Sequence, residues 1–362
     1  MTDDAGGNDV SPEDATENED EREGGSVAGG EAGGDGEDPE GLTYAAAGVD
    51  IDESEAATAA LVGAAGEFEG EYAGLVDVGD RYLALATDGV GTKLLVAEAV
   101  DDYSTVGVDC VAMNVNDLVA QGVEPVAFVD YLAVAEPDEE TAAALGEGLR
   151  RGAGIADVEL VGGETAVMPE VVRGLDIAGT AAGLAPKDAV FPGEAEPGDA
   201  LVGWPSSGVH SNGLTLAREA VTRDHAYTDP FPPAPDRTIA DELLTPTRIY
   251  TDVLDPLRTN DAHAAAHVTG GGWTNLPRMG PHRYEITDPF PAQAVFEFVQ
   301  SAGEVDGAEM HRTFNMGTGF VAALAPDAAA AVVDESPDAS VVGRVVEAEA
   351  GVVAVRGLEL RE

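Results

Sequence analysis

Three charged side chains in the first half of the chain have the types and spacing that phosphate chemistry requires: Asp88, Lys93 and Asp117. A carboxylate can bind a hard cation such as Mg²⁺, and the compact ammonium of lysine can neutralise a phosphate oxygen. The chain has 18 basic residues, but Lys93 and Lys187 are its only lysines. A lysine kept directly after Asp-Gly-Val-Gly-Thr therefore favours a functional role over a solvated turn residue.

The turn that joins Asp88 to Lys93 is rich in glycine. It follows the apolar run Tyr82 to Ala86, which predicts a buried strand ending in a turn. Its glycines let the backbone approach a ligand closely, and its threonine can donate to a phosphate oxygen. No Walker motif and no G-x-G-x-x-G after a strand occurs, so another fold must bind the nucleotide. The predicted triphosphate seat consists of Asp88, Gly89, Gly91, Thr92 and Lys93.

The next apolar pattern, from Ser104 to Gln121, has helical spacing. Asn114, Asp117 and Gln121 lie at i, i+3 and i+7, so they share one face of the predicted helix. A solvated face has the same spacing, but the short connection to the turn can bring Asp117 close to Asp88. Because Mg²⁺ is usually held by one or two carboxylates plus substrate phosphates, we predict a Mg²⁺ site here, with Asn114 beside the nucleotide.

A second strand-and-glycine arrangement follows at Val158 to Thr165, where Gly-Gly precedes Glu164. Glu164 either joins the metal ligands or stands in a simple turn. With a helix at 139–154 and a strand at 175–184, this half has four predicted strands and two or three helices. The Pro- and Gly-containing segment 186–198 is the predicted boundary between an N-terminal domain, 41–190, and a C-terminal domain, 199–362.

Two polar segments of the second half are candidates for substrate binding. The first follows a predicted strand at 199–204 and precedes a predicted helix at 214–221; it contains Ser207, His210, Ser211 and Asn212. His210 can act as an acid or base near neutral pH, although a loop histidine satisfied by its neighbours is equally expected. The second, Gly270, Gly271 and Gly272 before a short helix, predicts an anion seat. The role of His267 stays open.

Other patterns in the second half predict secondary structure. Pro246 is expected in the first turn of a helix that begins at Leu243. An apolar strand ends at Leu324, and valine-rich strands are predicted at 341–346 and 352–355. Asn315, between Phe314 and two glycines, either closes over a ligand or marks a strand entry.

The chain of 362 residues has 69 acidic residues and a net charge of -51. This charge repels nucleic acid and anionic membranes, which argues against them as partners, and it is typical of adaptation to a salt-rich cytoplasm. Residues 1–40 carry 15 carboxylates and predict a disordered tail. A helix is predicted from Asp52 to about Gly63, with Asp50 and Asp52 as ligands or caps. Cys110 is predicted to be a buried core residue, and no signal peptide or membrane span is expected.

Eight motifs, in this order and spacing, resemble the AIR synthetase family of purine biosynthesis over about residues 42–361: TYAAAGVDID, ATDGVGTK, VAMNVNDLVAQGVEP, LVGGETAVMP, PSSGVHSNG, LLTPTRIY, AHVTGGGW and MHRTFNMGTGF. The resemblance implies an ATP-dependent ring closure of formylglycinamidine ribonucleotide, with Mg²⁺ as the metal ion. The acidic composition adds the expectation that K⁺ or high salt is required. It also implies a mixed α+β and α/β fold of two domains. The N-terminal domain would contribute strands to a β-barrel shared by a homodimer, and the C-terminal domain would be α/β.

The resemblance assigns roles to residues already singled out. Asp88, Asp117 and Glu164 would hold Mg²⁺, Lys93 would contact the triphosphate, and His210 would polarise or protonate the formyl group. Two alternatives remain. One is another ATP-cleaving member of the superfamily, of the selenophosphate synthetase or thiamine-phosphate kinase type; the other is a nucleotide-binding assembly protein without catalysis.

Overall fold

A five-stranded sheet and three helices make up the first half of the described chain. The computed structural model describes residues 41–48 and 72–361, so the predicted acidic tail and the predicted helix from Asp52 to Gly63 lie outside the described residues. The elements, in chain order, are β1 Gly74–Asp77, β2 Arg81–Gly89, α1 Leu94–Val100, α2 Val106–Ala120, β3 Glu124–Val134, α3 Glu139–Ala156, β4 Glu159–Val167 and β5 Leu175–Pro186.

The order of strands in this sheet is β1-β2-β5-β3-β4. Its pairs are antiparallel except for β3 with β4, which are parallel and joined through α3. Four of its strands and the helices α2 and α3 were predicted. Helix α1 was not predicted, and the short strand β1 was missed because Gly74–Asp77 has no clear alternation.

Helix α2 is the central element of the molecule. It packs on one face of the sheet and against α3, where a Cβ on Gly107 would lie 2.2 Å from the backbone N of Leu149. Every residue of α2 except Asp117 is buried. The polar residues of the helix therefore do not form a solvated face, and each buried one needs a partner inside the protein.

The second half forms a seven-stranded sheet with helices around it. Its elements are β6 Ala200–Pro205, α4 Leu214–Thr222, β7 Pro230–Phe231, β8 Ala234–Thr238, α5 Ile239–Leu243, α6 Leu254–Thr259, β9 Ala264–His267, β10 Arg283–Ile286, α7 Ala294–Gly303, α8 Gly307–Thr313, β11 Thr318–Leu324, α9 Pro326–Glu335, β12 Ser340–Val346, β13 Val352–Val355 and β14 Leu358–Leu360. The order of strands is β14-β13-β10-β12-β6-β11-β9, and β7 pairs with β8 apart from it. All of β11 is buried, as its apolar sequence predicts.

The predicted helix beginning at Leu243 is wrong. Helix α5 ends at Leu243, and residues 244–250 form a turn and an irregular loop. Pro246 has no backbone N–H and disfavours a helical conformation at Thr245, so the chain leaves the helix there. This loop, the LTPTRIY segment, then lies along α2.

The face of the first sheet that points away from α2 is apolar and exposed. It carries Leu85 of β2, Val129 and Tyr131 of β3, and Leu184 of β5, each between 37% and 45% exposed. Among the described residues, no helix has both the length and the apolar character needed to cross a membrane.

Candidate functional site

Asp88 stands at the end of β2, directly beneath α2. The amide side chain of Asn114 fixes the backbone at this point, because its Oδ1 accepts from the Asp88 N–H at 2.8 Å and its Nδ2 donates to the Asp88 carbonyl at 3.1 Å. Opposite Asp88 on β5 stands Gly179, where a Cβ would lie 2.2 Å from the Phe128 ring and 3.0 Å from Asn114 Nδ2. Glycine is therefore required for α2 to reach the sheet.

Asp117 is the partner that the sequence predicted for Asp88, and the structure brings the two carboxylates close together. Burial, with the charge of Asp117 as the second cause, raises the pKa of Asp88 to about 6. Asp117 is 21% exposed, so the pair lies at the boundary between the protein and solvent. Two carboxylates that repel each other form a site to which a cation would bind favourably.

His267, whose role the sequence left open, holds Asp117. Its Nδ1 lies 3.0 Å from Asp117 Oδ1, and its Nε2 lies 3.3 Å from Asn116 Nδ2. Because Asn116 Nδ2 can only donate, Nε2 accepts, and the ring therefore donates to Asp117 from Nδ1. This residue comes from the end of β9, far from α2 in the sequence, so helical spacing alone could not reveal the contact.

Glu164 is not brought to this pair. Along one rung of the sheet, Asp88 faces Gly179, Gly179 faces Asp130, and Asp130 faces Gly163. Since side chains alternate between the faces of a strand, Glu164, the residue after Gly163, points to the opposite face and is exposed there. Within 41–48 and 72–361, no three His, Cys, Asp or Glu side chains form a group that could hold a metal ion.

Lys93 does not line an open surface, contrary to its predicted place at the triphosphate. Its side chain is 0% exposed, and its Nζ lies 2.8 Å from Asp109 Oδ2 and donates to the Thr245 carbonyl at 2.7 Å. Burial lowers the pKa of Lys93, while Asp109 opposes that effect. The lysine therefore joins the start of α2 to the loop 244–250, a contact that depends on a segment about 150 residues away in sequence.

The rest of the predicted phosphate turn is accessible. Gly91 is exposed and has a φ of 69°, a conformation that favours glycine. The hydroxyl of Thr92 lies 2.9 Å from that of Thr215 in the first turn of α4. This contact places the turn beside the 206–213 loop, so the structure joins two segments that the sequence proposed for two ligands.

His210 is buried and strained. Its φ is 65°, which is costly for a residue with a side chain. Its Nε2 accepts from the Ser207 N–H at 3.1 Å, so the neutral ring carries its proton on Nδ1. That Nδ1 is buried and has no hydrogen-bond partner among the described residues. Burial, with smaller effects from His267 and Lys93, holds the pKa of His210 well below its usual value, so the ring is neutral at pH 7.

The neighbours of His210 are only partly open. Ser211 is buried like His210, whereas Ser207 is exposed and Asn212 is half-buried. The sequence makes all four polar residues of this loop candidates for substrate binding, but only two of them are open to solvent. Cys110, by contrast, is buried as predicted, and burial raises the pKa of its thiol.

The glycine segment of the second half meets this loop. A Cβ on Gly270 would lie 3.3 Å from Asn212 Oδ1, and a Cβ on Gly272, whose φ is 52°, would lie 2.4 Å from the His311 carbonyl. A 3₁₀ helix, Gly272–Met279, follows as expected. Asn315 donates from Nδ2 to the Gly208 carbonyl at 2.9 Å, so it supports the loop rather than closing over it.

A cavity of about 330 Å³ opens on the α2 side of the first sheet. It lies beyond Asp130 along β3, between the start of α3 and the end of β3, and its wall includes Tyr103, Leu132, Val134 and Leu145. Thr141 and Thr165 add hydroxyls. The cavity combines apolar walls with a few polar groups, which is typical of a site for a small molecule.

Sequence comparison identifies both halves of the chain. Residues 70–185 match the N-terminal domain of AIR synthase related proteins, and residues 196–356 match the C-terminal domain. The chain is 46% identical to the phosphoribosylformylglycinamidine cyclo-ligase of Methanococcoides burtonii over 331 residues, which cover 88% of this chain and 98% of the relative. It is also 46% identical to the enzyme of that name from Thermococcus gammatolerans over 302 residues, covering 79% and 89%.

Solved structures share the fold at low identity. The protein tt0281 of Thermus thermophilus has a TM-score of 0.61 and 22% identity, over 87% of this chain and all of that one. Thiamine monophosphate kinase of Aquifex aeolicus has a TM-score of 0.60 and 17% identity, over 87% and 100%. These likenesses support the predicted mixed fold, with a first sheet shaped as half of a barrel.

Proposed function

The chain belongs to the AIR synthase related family, and we propose that it acts as a phosphoribosylformylglycinamidine cyclo-ligase in purine biosynthesis. The observation that carries this proposal is identity of 46% to a named cyclo-ligase along nearly the whole length of that relative. The reaction converts formylglycinamidine ribonucleotide and ATP to aminoimidazole ribonucleotide, ADP and phosphate. The formyl oxygen would take the γ-phosphoryl group, and an amidine nitrogen would then close the ring and expel phosphate.

Asp88 and Asp117 are the residues that would hold Mg²⁺. Their fit rests on two observations: burial, together with the nearby charge of Asp117, raises the pKa of Asp88, and Asp117 is held in place by the His267 ring. When bound, Mg²⁺ would neutralise charge on the phosphates of ATP. Lys93 is left out of this group because its ammonium is bound within the core. The exposed turn around Gly91 and Thr92 would contact the triphosphate through backbone N–H groups.

His210 would act as a neutral hydrogen-bond donor. Since Nε2 accepts from Ser207, the available proton is on Nδ1, and the low pKa of the ring makes imidazolium rare near neutral pH. This N–H is buried and has no partner among the described residues; the formyl oxygen would accept from it in the enzyme–substrate complex, and the N–H would stabilise charge as that oxygen reacts. The strained backbone at His210 is consistent with such a role, because the surrounding loop must hold it.

The cavity beside β3 is our candidate for the adenine base. Leu132 is two residues beyond Asp130, which shares a rung of the sheet with Asp88 through Gly179. The cavity therefore begins roughly 7 Å along the strand direction and roughly 10 Å across the sheet from Asp88. Replacing Leu145 with Trp would fill the cavity. The ATP KM should rise at least tenfold while the substrate KM stays within twofold.

The exposed apolar face of the first sheet is our candidate for the dimer interface. Leu85, Val129, Tyr131 and Leu184 lie on it, and a second copy of the sheet would cover them and complete a barrel. Replacing Leu85 and Val129 with Lys should convert a dimer to a monomer in light scattering. A wild-type protein that is already a monomer would contradict the proposal.

The net charge of -51 supports a further proposal, that the enzyme works in a salt-rich cytoplasm and needs K⁺ or high salt. Repulsion between surface carboxylates weakens as salt screens them. Both turnover and the unfolding midpoint should therefore rise between low and molar KCl.

The experiment that tests the function follows ADP and the diazotisable aminoimidazole together, in concentrated KCl with MgATP and formylglycinamidine ribonucleotide. The cyclo-ligase should form the two products in equal amounts. ADP without aminoimidazole would indicate a related kinase, and ADP formed without the substrate would indicate an uncoupled ATPase. Absence of both products from folded protein would favour a binding protein.

A further inference from the structure

Asp109 accepts hydrogen bonds from Thr247 in addition to forming its ion pair with Lys93. Its Oδ1 accepts from Lys93 Nζ at 2.9 Å, from the backbone N–H of Thr247 at 2.7 Å and from the hydroxyl of Thr247 at 2.6 Å. All three residues are nearly or fully buried. Thr247, in the loop 244–250, is therefore held by its backbone and by its side chain at the same carboxylate.

A polarised chain of hydroxyls continues from this carboxylate. A threonine hydroxyl has one proton, and that of Thr247 is donated to Asp109, because the carboxylate oxygen can only accept. The hydroxyl of Ser211 lies 3.2 Å from Thr247 Oγ1. Ser211 must then be the donor in that contact. Its own proton is thereby used, and only lone pairs remain on its oxygen for a ligand.

Ser211 lies between His210 and Asn212 in the 206–213 loop, our candidate for substrate binding, and is 9% exposed. An oxygen that can only accept suits a ligand N–H or O–H. It does not suit a phosphate or a carbonyl, whose oxygens need donors. The substrate of the proposed reaction offers N–H groups at its amidine, and the corresponding amide carries a carbonyl oxygen in place of one of them.

We propose that Asp109, acting through Thr247, sets Ser211 Oγ as the acceptor for an amidine N–H of the substrate and so allows the site to prefer the amidine over the amide. This inference rests on the proposed function. Ser211 is the residue that contacts the substrate, and Asp109 and Thr247 are positioning residues. The preference for the amidine then depends on the direction in which the hydroxyl protons of Thr247 and Ser211 point. Asp109, which is separated from the substrate by these two residues, fixes that direction.

The test compares formylglycinamidine ribonucleotide as substrate with formylglycinamide ribonucleotide as inhibitor. The measured quantity is the inhibition constant of the amide divided by the KM of the amidine. This ratio should fall about five- to tenfold in Ser211→Ala, the effect of one neutral hydrogen bond. Thr247→Val should lower it similarly, because Ser211 can then turn its proton towards the amide oxygen. Thr247→Ser keeps the relay and should keep the wild-type ratio.

Thr105→Val is the matched control, since it removes a buried hydroxyl that has no hydrogen-bond partner among the described residues. It should leave the ratio unchanged. If Thr247→Val fails to fold, Ser211→Ala and Thr247→Ser still decide the question. A wild-type ratio in Ser211→Ala, or a lowered ratio in Thr247→Ser, would overturn the proposal. Wild-type turnover, measured in the same assay, tests the proposed function separately.

Discussion

Helix α2 carries a carboxylate near each end, and their surroundings differ. Asp109 is fully buried and accepts hydrogen bonds from Lys93 and Thr247. Asp117 lies about two helical turns further along α2 and is partly exposed. It lies near the carboxylate of Asp88 and accepts a hydrogen bond from the ring of His267. The buried carboxylate, Asp109, is paired with a cation of the protein itself, the ammonium of Lys93, whereas the partly exposed Asp117 lies beside a second carboxylate, Asp88.

This difference separates structure from chemistry. A buried carboxylate that is paired and hydrogen-bonded has little left to offer a ligand, and removing its partner is costly. Two carboxylates at a solvent boundary repel each other, so protons or a metal ion bind there. The Lys93 end of α2 therefore stabilises the fold and, in our proposal, orients the 206–213 loop, and the Asp88 end is where MgATP would bind.

The largest expected effect is a loss of stability at the buried ion pair between Asp109 and Lys93. Asp109→Ala would leave the ammonium of Lys93 buried without its counter-ion, and we expect a loss of about 3–5 kcal/mol in the free energy of unfolding. Urea denaturation measures it. The double variant Lys93→Met/Asp109→Leu, which removes both charges, should recover only the part of the loss that comes from the unpaired ammonium, because the buried N–H and hydroxyl of Thr247 still lack their acceptor. An Asp109→Ala variant within 1 kcal/mol of wild type, roughly the value of an ordinary hydrogen bond, would break the comparison.

At the other end of α2, where Asp117 lies beside Asp88, we expect an effect on turnover rather than on stability. Asp117→Asn keeps the shape of the side chain but removes a charge that would bind Mg²⁺, and turnover should fall about 100-fold or more. The unfolding midpoint should stay near that of wild type. Asp255→Asn, at an exposed carboxylate in the first turn of α6, is the control and should retain full turnover. Near-normal turnover in Asp117→Asn would contradict the assignment.

Asp88 predicts a dependence of stability on pH. Its pKa in the folded protein is about 6, above its ordinary value of 3.8, so the folded state binds the proton more tightly than the unfolded state. Its contribution is therefore fully present below pH 4 and is lost as the pH rises to about 6, a change of about 3 kcal/mol. The Asp88→Asn variant should lack this decline. Unfolding curves of both proteins at pH 4 and pH 7 isolate the difference, and parallel curves would show that Asp88 titrates normally.

The smallest effect belongs to the hydroxyl contact between the phosphate turn and α4. Thr92→Val removes the hydrogen bond to Thr215, worth about 1 kcal/mol, and the ATP KM should rise about two- to fivefold. Thr215→Val should have the same effect. Because both variants break one contact, the double variant should be no worse than either; additive losses would mean that the two hydroxyls act separately.

The sequence predicted the local features of the molecule. The apolar runs identified β2, β5 and β6, the helical spacing identified α2, and the short connection brought Asp117 to Asp88. It did not predict the burial of Lys93 or the partner of Asp117. The first depends on the loop 244–250 and the second on His267, and both segments are about 150 residues away in the chain.

The errors have a common physical cause. A polar residue on a helix is expected to face water unless a distant segment covers it, and every residue of α2 except Asp117 is covered. Glu164 was expected beside Asp88 because both stand next to a glycine at a predicted strand end, but the alternation of a strand places adjacent residues on opposite faces. Only the register of the four strands β2, β5, β3 and β4 could decide that point.

The measurement that tests the central claim most directly is calorimetric titration of ADP, with and without Mg²⁺, into wild type and Asp117→Asn. The open carboxylate pair should make ADP binding depend on Mg²⁺ in wild type. The variant should bind MgADP at least tenfold more weakly, with little difference when Mg²⁺ is left out. Equal affinity for MgADP in the two proteins would contradict the claim that this end of α2 holds the metal and the nucleotide.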